Sequence, residues 1–278
     1  MRVRSLLPSR SRPGRRRSAV SLVSVAFALT LILSGCSVSG NDADPTPTPP
    51  PTEAPIPTLT ADQVSVGDLI DRVDAAWSSV TTMRSTSWSG PANNTIGTPA
   101  PNQDATVEET VAPNSRRRVA LTNGAPVDEQ ISINGVVYFK GASVVNAVAP
   151  FIGADTWVRV DPTVVPPDSV VGQQLAYLTR PLGPPYDSVS ADLRARAATP
   201  SGTVTVAGRT CTNYTFVDTT SSGEKIDYAL SLDDHDLPCS LVQSAGGFAN
   251  TTTYEFNNPD IVITAPAAAT PVSGTPEG

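Results

Sequence analysis

Residues 225–233 read KIDYALSLD, and Ile226, Tyr228, Leu230 and Leu232 alternate with Asp227, Ala229 and Ser231. A period of two sends one set of side chains to each face of an extended chain, so the segment predicts a strand with one buried face. Similar runs fill much of the chain. TMRSTSWSG, DATVEETVA, RRRVALT, DEQISIN and VVYFKG follow one another in the first half, with TWVRVD at 156–161. Asn134-Gly135 sits between two of them and is a strong hairpin signal, because both positions tolerate positive φ. In the second half GTVTVAGRTCTNYTFVD reads as two strands joined at Ala207-Gly208-Arg209. CSLVQSA and NTTTYEFNN continue the meander and DIVITAP closes it.

A helical period appears in three places. In VGDLIDRVDAAWSSV, residues 66–80, Leu69, Ile70, Val73, Ala76, Trp77 and Val80 share one face, and Asp68 suits an N-cap or a first-turn acid. SVVGQQLAYLTR at 169–180 reads as a second helix, and DSVSADLRARAA at 187–198 as a shorter one. Many strands with few helices predict an α+β domain: one long antiparallel sheet with its helices grouped on one side.

The N-terminus follows different rules. Residues 1–18 hold seven arginines and no acid, and Ala19–Leu33 then runs without a charge. About fifteen apolar residues fall short of the roughly 20 that a membrane span needs. A basic stretch before an apolar run of this length is the pattern of a secretory signal peptide. The arginines at 16 and 17 weakly suggest a twin-arginine export route. The run ends in Leu33-Ser34-Gly35-Cys36, which resembles the lipobox of bacterial lipoproteins. The resemblance implies a leader over 1–35 and a diacylglyceryl thioether on Cys36, which becomes the first mature residue. The alternative is an ordinary signal peptide or an uncleaved anchor, with Cys36 incidental. Two acyl chains hold a protein on a bilayer where one does so only marginally. The expected location is therefore the extracytoplasmic face of a cell membrane.

Residues 36–63 are rich in Pro and Thr, cannot bury a core, and form an extended tether. The threonines leave O-glycosylation open. Residues 64–266 form the folded domain, and 267–278 read as a disordered tail. The whole chain carries 19 basic and 26 acidic residues, a net −7; without the leader arginines the balance is 12 to 26, a net −14. Such acidity argues against nucleic acid as a partner, since phosphate contacts need clustered Lys and Arg. Its plainest meaning is solubility.

Two more cysteines, Cys211 and Cys239, lie in an exported domain where thiols oxidise. Pairing them gives a disulfide; the alternative is two free, buried thiols. Neither has a Cys or His at metal-ligand spacing. The one histidine, His235, sits in SLDDHDLPCS. Three aspartates around it invite a metal or dyad reading, against which stands a polar turn between two strands. No GxSxG elbow, P-loop, GxGxxG or calcium loop is present. NNT, NYT and NTT match the N-glycosylation sequon, which in a bacterial lipoprotein is read as chance. SRRRV at 115–119 reads as a solvated strand face. The expectation is a protein without enzymatic activity and without a cofactor or metal.

The order of elements then resembles a family. A helix runs into SSVTTMRSTSWSG, strands follow through INGVVYFKG and TWVRVD, and LSLDDHDLPCSLVQS leads to TTTYEFNNPDIVITAP. This looks like the LolA/LppX-like superfamily of lipid-carrier lipoproteins. The resemblance implies a strongly curved antiparallel sheet, a half-barrel with a few helices on its concave side and acyl chains held between. It carries over no catalytic residue. A lipid leaving a bilayer must hide its chains, at about 0.8 kcal/mol per CH₂. Candidate liners of an apolar cavity are Trp88, Val137, Phe139, Trp157, Leu175, Leu178, Tyr228 and Leu230, each of which serves equally as plain core. The implied partners are the membrane, through the anchor, and a lipid or lipoglycan. The alternative is a ligand-free sensor or interaction module that meets an envelope protein. Replacing Cys36 by Ala is expected to move the protein from the detergent phase to the aqueous phase on cell fractionation, and an unchanged partition would remove the anchor.

Overall fold

The computed structural model describes residues 59–92, 99–142, 145, 149, 151–184, 189–220 and 222–272. The leader, Cys36 and the tether as far as residue 58 lie outside them. Thirteen strands form one sheet: β1 Val64–Ser65, β2 Thr82–Pro91, β3 Ala105–Val111, β4 Ser115–Thr122, β5 Ala125–Ile133, β6 Val136–Gly141, β7 Val158–Val160, β8 Ala197–Val206, β9 Arg209–Thr219, β10 Lys225–Leu232, β11 Pro238–Ala245, β12 Phe248–Phe256 and β13 Thr270–Val272. It is accompanied by the helices α1 Val66–Trp77, α2 Val170–Thr179 and α3 Ala191–Arg194. Among the described residues, no helix is long and apolar enough to cross a membrane.

The strand order is β1-β8-β9-β10-β11-β12-β2-β3-β4-β5-β6-β7-β13, an open row rather than a closed barrel. Every pairing is antiparallel except β13 with β7, so the sheet is mixed. Two meanders, β8–β12 and β2–β7, meet where β12 pairs with β2 from Phe248↔Pro91 to Phe256↔Met83. Tight turns carry each meander. Asn134 and Gly135 both have positive φ, 51° and 82°, and Ala207 and Gly208 repeat this at 48° and 80°. Mirror-image turns of this kind match the twist of the strands they join.

Register decides which side chains share a face. Met83 pairs with Phe256 and Thr110, Thr110 with Arg116, Arg116 with Ser132, and Ser132 with Val137. Directly paired residues point the same way, so these lie on one side of the sheet. At one end of the row Met83 and Phe256 pack with α1, through Leu69, Ile70, Val73 and Trp77. Towards the other end Val137 packs with α2, through Val171, Leu175 and Leu178. Both helices therefore sit on the same face, over different strands. Each fully buried Leu, Ile or Val contributes about 1.5–3 kcal/mol. The caps agree with the boundaries: the Ser65 side chain accepts from the Asp68 N–H, and that of Ser169 from Gly172. Asp68 is thus a first-turn acid and Ser65 the cap.

Three expectations differ. The helix expected over 187–198 is a single turn, α3. Val66 N–H donates to Arg196 O, and the chain turns at once into the β1–β8 pairing, where Ala197 and Ala198 are already strand. DIVITAP makes no strand. Asn258 accepts from Asp260 N–H in a side-chain turn, and Ile261 is buried outside the ladder. Thr270–Val272, within the stretch read as a tail, adds β13 to the free edge of β7.

Cys211 and Cys239 form a disulfide although β10 separates their strands. β10 ends at Leu232, opposite Thr212 and Pro238. Beyond that end β9 and β11 face each other directly, and the two Cα atoms lie 6.5 Å apart. The bond closes a loop of 28 residues, which in the chain-entropy model stabilises by about 3–4 kcal/mol. The double replacement Cys211→Ala/Cys239→Ala is expected to lower unfolding free energy by that amount in urea titration. A loss under about 1 kcal/mol would show that the surrounding strands hold the closure without it.

Candidate functional site

Between the two apolar clusters the helix-bearing face changes character. Its residues there are Ser85 and Ser87 on β2, Thr106, Glu108 and Thr110 on β3, Arg116 and Arg118 on β4, and Gln130 and Ser132 on β5. α2 packs over β4, β5 and β6 and so covers part of this strip, while α1 packs beyond it with Met83, Tyr254 and Phe256. α2 turns Leu175 and Leu178 to the apolar cluster and Tyr177 to the strip. The result is a polar strip, partly covered by α2 and bounded by two apolar clusters.

Glu108 and Arg116 form its centre. Both are nearly sealed, at 8% and 4% exposure. Arg116 Nε stands 3.4 Å from Glu108 Oε1, close enough for charge attraction, yet it makes no hydrogen bond. Arg116 Nη1 donates to the Tyr177 carbonyl at 2.5 Å, and the guanidinium lies 4.8 Å from that ring's centroid. The Tyr177 hydroxyl donates to Glu108 Oε2 at 2.5 Å, a short charge-assisted bond. Tyr177 is 40% exposed as a residue, while its hydroxyl is held against the carboxylate. Burial, and then the Glu108 charge, push this phenol above the ordinary tyrosine range, against a smaller opposing pull from Arg116 and Arg118. Tyr254, on β12 opposite Ser85, is raised as well, by burial first and then by Glu108 and Tyr177. Charges on the α2 side are thus felt by a side chain of the α1 cluster.

Several buried polar atoms here have no partner. Thr110 Oγ1 and Ser132 Oγ flank Arg116 in one cross-strand row, and Gln174 Oε1 lies in α2. An unpaired buried polar group costs about 1–3 kcal/mol. A row of them suits a space that takes up water or a ligand.

The opposite face holds a different device. Arg84 bonds Glu109 at 2.8 Å and Glu255 at 3.0 Å, and Arg117 bonds Glu129 at 2.7 Å and Glu109 at 3.3 Å. This ladder ties β12, β2, β3, β4 and β5 together. SRRRV is therefore not simply a solvated face. Arg117 belongs to the ladder, while Arg116 and Arg118 turn inward. The signal that could have shown this is Glu108-Glu109 on the preceding strand, one acid for each side.

The eight candidate liners do not converge. Val137, Phe139, Leu175 and Leu178 belong to the α2 cluster, and none is more than 3% exposed. Leu230 belongs to the α1 cluster, with Tyr228 packed against it. Trp88, paired with Thr251 and Ala105, is buried on the face away from the helices, and Trp157 is half-buried just before β7. The groove of about 580 Å³ between Thr199, Thr215, Ala229 and Val242 also opens on that other face. His235 lies in an exposed turn. Asp233, Asp234 and His235 place ligand atoms within 4.8 Å of one another. Asp233 is occupied, however: Oδ1 accepts from His235 and Leu237 N–H, and Oδ2 accepts from Arg209.

No family model matches the chain, and no curated protein does. Solved structures align with most of it. The Mycobacterium tuberculosis lipoprotein LppX matches at 12% identity over 71% of this chain and 97% of its own, with a TM-score of 0.44. LprF from Mycobacterium bovis matches at 10% identity over 73% and 97%, with a TM-score of 0.42. A LolA superfamily protein from Nitrosomonas europaea matches at 6% identity over 69% and 92%, with a TM-score of 0.27. These names fall in the superfamily that the sequence resembles. At such scores and identities the likeness assigns no role to any residue of this chain.

The buried tyrosines give the core a pH dependence. Above about pH 10 unfolded tyrosines lose protons while Tyr177 and Tyr254 keep theirs, so the unfolded state binds fewer protons and stability falls as pH rises. The contribution is complete below pH 10. Tyr254→Phe is expected to flatten the fall by up to about 1.4 kcal/mol per pH unit, read from urea midpoints between pH 9 and 11.5. An unaltered slope would show that Tyr254 ionises as freely folded as unfolded.

Proposed function

We propose that this is a non-enzymatic, membrane-tethered binding protein of the extracytoplasmic face, and that its ligand is an amphipathic lipid or lipoglycan. In this reading the sheet curves around α1 and α2 as a half-barrel, with both helices on the concave side and a trough over the polar strip. Cys36 carries the anchor and residues 36–63 the tether. The ligand's polar part lies on the floor of β2–β5, and its chains lie along the apolar flanks of the helices. One observation carries the proposal: two helices occupy one face of a single sheet, and the strands that run from one to the other present there a polar strip in which Thr110 Oγ1 and Ser132 Oγ are buried without partners. A core meant only for packing would fill that strip with Val, Ile and Leu.

The liners named from sequence take a smaller part here. Those closed inside the clusters act as walls that hold the helices apart. Lining the trough falls to Ser85, Glu108, Arg118 and Tyr177.

Native mass spectrometry of the exported chain carrying Cys36→Ala tests this. The expected spectrum shows the protein mass plus that of a copurifying lipid, lost after delipidation. A mass of the bare protein alone, two hydrogens short for the disulfide, would overturn the proposal in favour of an interaction module that meets an envelope protein.

A further inference from the structure

Arg118 is out of place by the ordinary rules of a half-buried charge. It lies on β4 on the helix-bearing face, two residues from Arg116, paired with Glu108 on one side and Gln130 on the other. Its charge reaches the Tyr177 hydroxyl. Yet among the described residues it makes no hydrogen bond and no ion pair. The neighbouring carboxylate is engaged elsewhere: Glu108 Oε1 faces Arg116 at 3.4 Å without a hydrogen bond, and Oε2 accepts from Tyr177. Asp128, the next acid along this face, has a partner of its own.

Arg116 and Arg180 approach the Tyr177 ring to 4.8 and 5.6 Å. A partly desolvated guanidinium attracts an anion more strongly than one in bulk water, because the effective dielectric is lower. Its planar fork offers two parallel N–H donors, which suit the paired oxygens of a phosphate or carboxylate. The unpartnered hydroxyls of Thr110 and Ser132, 2% and 0% exposed, add hydrogen-bonding capacity in the adjoining row.

We infer that Arg118 is the recognition point for an anionic group, a phosphate or carboxylate, on the ligand of the trough. The inference rests on the binding function proposed above and adds the chemistry of the head. Specificity then lies in the charge of the head, while the chains supply affinity that many lipids share.

The test uses the full chain with Cys36→Ala, delipidated, and isothermal titration calorimetry. Three probes are compared: dioctanoyl phosphatidic acid, dioctanoylglycerol with the same chains, and inorganic phosphate. Phosphatidic acid is expected to bind at least tenfold more tightly than dioctanoylglycerol, about 1.4 kcal/mol. Arg118→Gln is expected to erase that preference, bringing the affinities for the two lipids together, and Arg118→Lys to restore part of it. Thermal melts check that both variants stay folded. Equal binding of the two lipids, or a preference that survives Arg118→Gln, would overturn the anion site while lipid binding stands. Binding of neither lipid and no phosphate would overturn both readings. Phosphate bound without either lipid, and lost in Arg118→Gln, would keep the anion site but make the free ion its ligand.

Discussion

The pairing of β12 with β2 is the constraint on which the structure rests. It joins residues 248–256 to residues 83–91, nearly the two ends of the domain, and every other pairing lies within one meander or at an edge. Without it the chain is two smaller sheets, each with one helix. With it the period of two runs on from one meander to the other. Both helices then share a face, and the strip between them becomes an interior. Closing so long a loop is slow, since its entropy must be spent before the contacts reward it. The Arg84–Glu109–Arg117 ladder crosses this seam on the far face and fixes the same register with charge. A slip of one residue would set Arg84 opposite Tyr254 or Phe256 instead of Glu255 and put Met83 and Phe256 on opposite faces.

Much of the fold could be read from the residues. The alternation in 225–233 became β10, Asn134-Gly135 became a tight turn, and α1 and α2 begin and end within three residues of their expected limits. These features are local, and local rules govern them. What was not legible is what the far partner decides. Residues 195–198 have helical composition but are drawn into β8 by Val64 and Val66. β13 has no strand pattern of its own and exists because β7 offers an open edge. The disulfide was open as a pairing because two strands apart is too far within a regular ladder; the early end of β10 removes that obstacle.

The site was less legible than the fold. The liners named from sequence are large and apolar, and the structure uses six of them as packed wall. The polar strip consists of Ser, Thr, Glu, Gln and Arg in strands, where composition suggests solvent. A polar residue facing an interior looks the same in sequence as one facing water. Only register with Met83 and Val137 separates them. The run of three arginines shows this best, since its middle member serves one face and its outer two serve the other.

An open sheet of thirteen strands has two free edges, and edges invite other chains to add on. Here the rim strands are minimal: β1 has two residues and β13 has three, one of them Pro271. Proline offers no N–H to an incoming strand, and two residues give it almost no template. The β13 rim therefore gives a neighbouring copy little to zip onto, while β8, which β1 covers only at Ala197 and Ala198, relies on the break in its register between Pro200 and Thr203 to interrupt its outer edge.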